Sequence, residues 1–290
     1  MLWLILCILS GTGIFVLFKV IDKTNTPLIN AIVINYLIAS IIGFLFAGEF
    51  PVKNILNSDW LLLGITIGVL FIVMFLVVGI SSNKAGLSIT TVASKMSVVI
   101  PMLFAIFAYG EKTTILKIIS IILAVCAVFM SVYKKTGDKK KMNFSTFLLP
   151  FILFIGMGLV DSLVIYSKEA YVDDSLASVF TATLFTFSFL SGLLYTLFRP
   201  SSLKDYLSGK AWLYGIMLGI VNFGSIYFVI RALNSDIFVN SVVYGINNIC
   251  IVVLSVLIGT MFFREKLTKL NYLGVLLSIL TIVFLTYAEI

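Results

Sequence analysis

The sequence predicts an all-α membrane protein, with ten transmembrane helices arranged as two inverted five-helix repeats. Three observations predict it. First, 61% of the 290 residues are hydrophobic and 11% are charged, with a mean hydropathy of +1.16. Soluble domains carry about 25% charged residues, and a fold in water cannot hide this much apolar surface. Second, apolar stretches of about 20 residues, the length that crosses a bilayer as a helix, occur ten times. Third, landmark residues return at similar places in the two halves of the chain.

Span one, 2–20, begins without a basic leader and reads as a spanning helix, not a cleavable signal. Span two, 28–47, follows the polar turn DKTNT, and span three, 60–80, opens on Trp60. Span four, 86–109, carries Lys95 near its middle. Pro101 lies further along it and removes one backbone hydrogen bond, so the helix loosens or kinks there. Span five, 114–133, opens after GEKT, and span six, 146–167, after the lysine-rich YKKTGDKKKMN. Span seven, 175–198, follows SKEAYVDD, and span eight, 211–231, follows RPSSLKDYLSGK. Span nine, 237–262, is the most polar of the ten, and span ten, 269–288, follows REKLTK. No connection is long enough for a soluble domain, and the strand alternation of an outer-membrane barrel is absent.

Trp60, Gly64 and Gly68 of span three match Trp212, Gly215 and Gly219 of span eight. Gly11-x-Gly13 precedes Lys23 by ten residues, as Gly156-x-Gly158 precedes Lys168. GEK at 110–112 and REK at 264–266 open spans five and ten, and the offsets drift from 145 to 154, as small loop insertions produce. The repeats are therefore 1–142 and 143–290. Five is odd, so the halves must point in opposite directions. Inverted repeats of this kind are typical of secondary transporters, whose sites lie between the repeats near the midplane.

Counting the helix ends beside them, connections one, three, five, seven and nine carry 14 lysines and arginines, and the even connections carry 5. By the positive-inside rule this puts the odd connections in the cytoplasm and both termini outside. The net charge of +7 sits between apolar segments, which fits anionic lipid headgroups and topology control, with no nucleic-acid partner. The lysine cluster at 134–141 is such a determinant. There is no histidine, which removes His metal sites, His bases and His proton relays. Cys7, Cys126 and Cys250 lie in apolar segments and read as small buried side chains, neither disulfide framework nor metal cluster. No Walker A sequence, K⁺-filter run, nucleophile elbow or HExxH is present. These absences point away from an enzyme, and no cofactor or metal is expected.

A charge at the depth of Lys95 costs about 2.5–3.5 kcal/mol on insertion scales, so it should face a protein or water-filled interior. Ser88, Thr91 and Lys95 share one helix face. Lys95 either anchors an anionic substrate group, most simply a carboxylate, or pairs permanently with an acidic residue. Asp161 is the one carboxylate well inside a predicted span. It suits three roles: counter-ion, proton carrier, or contact for a substrate amine. Asn240, Tyr244 and Asn247 line one face of span nine, with Ser241 and Asn248 beside them. Amides and phenols hold small polar solutes without the penalty of a carboxylate; the alternative is interhelical hydrogen bonding. Asn35 and Tyr36 on span two, and Asn222 and Tyr227 on span eight, are further candidates. The spaced glycines of spans one, three and eight read as packing positions. Glu111 and Glu265 read as solvated junction charges or as helix N-terminal acids.

The tripeptides at the span 4–5 and 9–10 junctions read GEKTT (110–114) and REKLT (264–268). With the ten-helix duplicated layout, the chain resembles the drug/metabolite transporter superfamily, and more narrowly its EamA-type branch. The resemblance implies a central cavity, alternating access, and substrates among amino acids, nucleotide precursors, sugars and drugs. It also implies cytoplasmic termini, opposite to the lysine bias, and supplies no intramembrane lysine equivalent to Lys95. The expected function is secondary active transport, export or exchange, of a small polar metabolite such as an amino acid, around a midplane cavity. Protons or another gradient would drive it, in the plasma (inner) membrane, by a monomer or homodimer. A non-transporting accessory or flippase subunit, and an intramembrane lipid-acting enzyme, are the alternatives.

Overall fold

The structure is a computed structural model that describes residues 1–48, 51–110, 114–133, 144–172, 177–235, 238 and 240–288. The side chains of residues 109, 144–147, 168, 200–202, 240 and 241 are outside the description. Glu111, the lysine cluster at 134–141, Lys168, and the side chains of Asn240 and Ser241 therefore lie outside the described residues. Among the described residues there is helix and no strand.

Thirteen helices are described: α1 (Leu2–Lys23), α2 (Leu28–Ala47), α3 (Val52–Leu56), α4 (Leu61–Lys84), α5 (Leu87–Met96), α6 (Val99–Tyr109), α7 (Ile115–Val132), α8 (Phe144–Tyr171), α9 (Ala177–Leu197), α10 (Pro200–Asp205), α11 (Gly209–Leu233), α12 (Asn240–Met261) and α13 (Lys269–Ala288). With α5 and α6 taken together, ten of these segments are long and apolar enough to cross a membrane. This is a multi-pass membrane protein. The helix ends fall within a few residues of the expected spans. The short α3 and α10 went unforeseen, because five or six residues carry no readable period. Large apolar side chains such as Leu45, Leu62, Ile122 and Leu213 stand exposed along the spans, as a lipid-facing surface requires.

The chain divides into two compact units. The first comprises Met1–Lys19, Val77–Leu159 and Gly224–Ile290; the second comprises Val20–Leu76 and Val160–Phe223. Each unit thus draws on both halves of the sequence.

In the first unit, α7 lies along α13, and α5 packs on α7, α12 and α13. The core between them holds Ile89, Val92, Met96, Val128, Val252, Val256 and Ile282. Gly274 lets the α13 backbone approach Ala127 and Ser131 of α7. Asn271 fixes that pair in register. Its Oδ1 accepts from the Thr268 N–H at 2.8 Å and the Thr268 hydroxyl at 2.8 Å, which caps α13. Its Nδ2 donates to the Ser131 carbonyl at 2.6 Å and the Tyr133 carbonyl at 3.0 Å, at the end of α7. One amide satisfies two helix ends. Asn271→Ala leaves both exposed and is expected to cost about 2–3 kcal/mol, since each stranded buried polar group costs roughly 1–3. Unfolding of purified protein in mixed detergent micelles measures it.

In the second unit, α2 lies along α9. Gly43 sits against Ala182, and the Ser40 and Thr186 hydroxyls meet at 2.7 Å. Gly68 receives Phe187, while Gly215 and Gly219 receive Ile34 and Ile38. The glycines of spans three and eight are packing positions, as the spacing suggested.

Candidate functional site

Lys95 stands in the last turn of α5, about 12 Å along the axis from Leu87. Its neighbours Ser94 and Met96 are buried and Lys95 itself is half-buried. The span breaks two residues later, between Met96 and Val99. Pro101 is the cause. Its ring displaces the carbonyl four residues back, that of Ser97, and it has no N–H to offer. The Ile100 N–H bonds to the Ser97 carbonyl at 2.9 Å in a tightened turn, and the Ser97 hydroxyl donates to Ser94 O at 2.6 Å. The break expected at Pro101 thus appears one turn ahead of it.

Still in the first unit, α12 packs on α5, and Gly11 of α1 meets Ile251 of α12. At the start of α5, Ser88 meets Gly259 of α12. The two helices therefore run antiparallel, and by the rise per residue Lys95 lies about level with Val252 of α12. Asn247, more than one turn further toward the start of α12, is buried, with no hydrogen-bond partner for its Oδ1 among the described residues. The Thr12 hydroxyl of α1 and the Ser255 hydroxyl of α12 are buried and unpartnered in the same sense. Tyr244, expected on the same stripe as Asn247, is 48% exposed. Thr91 is fully buried and its hydroxyl donates to the Leu87 carbonyl of its own helix at 2.9 Å. Tyr227 is engaged at the end of α11, where its hydroxyl accepts from Arg231 Nε at 3.0 Å. Arg231 lies over the rings of Trp3 and Tyr227, as a membrane-edge anchor does.

In the second unit, Asn222 Nδ2 donates to Asn35 Oδ1 at 3.2 Å. Both side chains are buried, and Asn35 Nδ2 has no partner among the described residues. The two are an interhelical pair with one donor to spare. Tyr36 is core: its hydroxyl donates to Phe71 O at 3.0 Å and its ring packs on Phe75 and Phe185. Asp161 is half-buried on α8 and belongs to this unit, whereas Lys95 belongs to the first.

Two expectations need correction. Cys126 is exposed, not buried, because it lies on the outward face of α7 with Ile122, Val125 and Phe129. Glu265 is not a solvated junction charge. Its side chain is 11% exposed, and it accepts from Leu87 N at 2.5 Å, Ser88 N at 3.1 Å and Ser88 Oγ at 2.8 Å. It is a helix N-terminal acid, though for α5 and not for α13. Lys19 Nζ stands 3.7 Å from it and donates to Ser82 O at 2.8 Å. Nothing in the sequence pairs Glu265 with a helix start some 177 residues earlier. The one local sign is REK directly after a span.

The first unit also holds an apolar groove of about 350 Å³, lined by Ile5, Ile8, Leu9, Cys250, Val253 and Leu254.

No family model matches the chain. An uncharacterized protein of Haemophilus influenzae is 27% identical over 291 residues, spanning 99% of this chain and 98% of that one. A solved crystal structure superposes with a TM-score of 0.59 at 16% identity, covering 97% of this chain and 96% of that chain. At that identity the likeness is one of fold alone.

Proposed function

We propose that this chain is a secondary active transporter of the drug/metabolite transporter type, carrying a small polar metabolite such as an amino acid by alternating access. Lys95 is the anchor for a carboxylate on the solute. Asn247 and Thr12 offer oxygens to its donor groups, and Asp161 is a proton site. The observation that carries this reading is Lys95 itself: an ammonium held deep in a span that breaks two residues beyond it. Interrupted helices near the midplane are where secondary transporters place their ligands. Buried oxygens without partners also point to a polar ligand, since each costs about 1–3 kcal/mol while empty.

The inverted duplication is part of the proposal, and the packing supports it. The close pairs are α2 with α9 and α7 with α13, which are spans two and seven, and spans five and ten. Each pair is five spans apart, as expected when equivalent helices meet at a twofold axis. The unit boundaries also recur. Val20 and Val160 open the second unit's pieces 140 residues apart, and Val77 and Gly224 reopen the first 147 apart.

The test is flux into proteoliposomes, using radiolabelled amino acids, nucleosides, sugars and organic acids in turn. Saturable flux of a carboxylate-bearing solute, collapsed by an opposing gradient, is the expected result. Flux of none of them, in protein that is folded and monodisperse, removes the transport reading. A lipid-handling subunit is the second reading, favoured by the apolar groove between α1 and α12; its sign is scrambling of a fluorescent phospholipid in the same vesicles.

Asn247→Leu separates function from stability. It removes a stranded acceptor, so unfolding is expected to be harder by about 1 kcal/mol, while solute flux falls severalfold. A variant both less stable and fully active places Asn247 in packing.

A further inference from the structure

We propose that Glu265 is a positioning residue for Lys95: a clasp that fixes the depth of α5 within the first unit. This rests on the transport reading of Lys95 given above. The residues of the clasp come from four elements that the fold brings together. Lys19 is near the end of α1 and Ser82 near the end of α4. Leu87 and Ser88 open α5, and Glu265 lies in the link from α12 to α13.

The α5 N-terminus has no cap of its own. Gly86 precedes it with φ +109°, and no side chain of that turn accepts from its amides. The first N–H groups of a helix need acceptors, and an anion there also meets the positive end of the helix dipole. Glu265 supplies both from 177 residues away. The chain is shaped to deliver it. Arg264 adopts the left-handed conformation, φ 55°, and the Glu265 N–H bonds to Gly259 O at 2.9 Å. That turn swings the carboxylate back onto α5. Two glycines clear the space: a Cβ on Gly86 would stand 2.9 Å from Glu265 Oε1, and one on Gly259 would stand 2.7 Å from Oε2. Among the described residues, the charged group placed against the carboxylate is Lys19, from α1.

The consequence concerns Lys95. α5 is ten residues long and ends in a break, so it is not held at its far end by a continuous helix. The clasp at Leu87–Ser88 is the polar anchor at its start, added to the packing of Ile89, Val92 and Met96, and Lys95 lies two turns down the same short rod. A carboxylate that sets the rod's position sets where the ammonium meets a solute, without touching the solute.

The test uses full-length protein with Cys7, Cys126 and Cys250 replaced by serine and Ser94 replaced by cysteine. Ser94 adjoins Lys95 and is 8% exposed. Glu265→Gln keeps size and shape but loses the charge and one acceptor. It is expected to speed N-ethylmaleimide labelling at position 94 at least fivefold (roughly 1 kcal/mol of opening). In the native-cysteine protein it is expected to raise the half-saturation concentration for the amino acid carried in the liposome panel about tenfold, leaving maximal rate within about twofold. Glu265→Asp, which keeps the charge, should fall between. Wild-type labelling and half-saturation in Glu265→Gln make the carboxylate a filler and overturn the proposal. A fallen maximal rate at unchanged half-saturation also overturns it, since that is the mark of a gate. Should Glu265→Gln not fold, Glu265→Asp takes the same readouts, and unchanged values overturn the proposal. Should no solute be carried, the transport reading fails, and labelling alone decides whether Glu265 holds α5.

Discussion

Lys95→Ala is expected to lower the efficiency of solute flux about 10- to 100-fold while leaving the protein folded. A hydrogen bond to a charged group contributes roughly 1.5–3 kcal/mol, and each 1.4 kcal/mol is a factor of ten in binding. The loss should appear in the half-saturation concentration of a carboxylate-bearing solute and spare an uncharged one. Stability should hold or rise, because an ammonium at that depth costs about 2.5–3.5 kcal/mol to insert. Lys95→Arg keeps the charge but replaces a compact donor with a planar fork, so it should recover only part of the efficiency. Proteoliposome flux and detergent unfolding, measured on the same preparations, check both halves. The opposite pattern, unchanged flux with a large loss of stability, makes Lys95 a structural partner of an acidic residue and ends its role as anchor.

Glu265→Ala is expected to cost about 3–5 kcal/mol, the typical penalty for removing one member of a buried ion pair. Three donors on Leu87 and Ser88 lose their acceptor at once. Among the described residues, Lys19 then keeps its bond to Ser82 O. The hollow that Gly86 and Gly259 line has no side chain to fill it. Lys19→Met should cost clearly less, because Glu265 retains all three hydrogen bonds to α5. In a double-mutant cycle, the second substitution should add little to Glu265→Ala. Equal costs for the two single changes, each within about 0.5 kcal/mol of zero, reduce the clasp to an exposed surface pair.

Much of the frame was legible from the chain because a bilayer imposes a simple rule. Backbone groups in hydrocarbon must bond internally, so each apolar run of about 20 residues becomes a helix. That fixed ten spans to within a few residues, from Leu2 to Ala288. The break in span four was legible for the same local reason, since Pro101 acts on a carbonyl four residues away. Packing glycines in spans three and eight could be read from their spacing. Cys126 was misread because hydropathy says that a segment is apolar, not which of its faces meets lipid. The residues that hold the structure together polar group by polar group were not legible. Asn271 reads as one polar residue near a helix start, and nothing local says that it also closes the end of α7. Asn35 and Asn222 each looked like lone amides, yet they bond to each other 187 residues apart.

The amino-acid order alone determined ten helices long and apolar enough to cross a membrane and the place of a lysine within one of them, because hydrophobic length and proline stereochemistry act over a few residues. Tertiary structure alone decided which acid caps α5, which amides pair, and that Lys19 and Glu265 meet. Those choices depend on which helix ends arrive side by side, and a buried donor takes whichever acceptor the packing brings within reach.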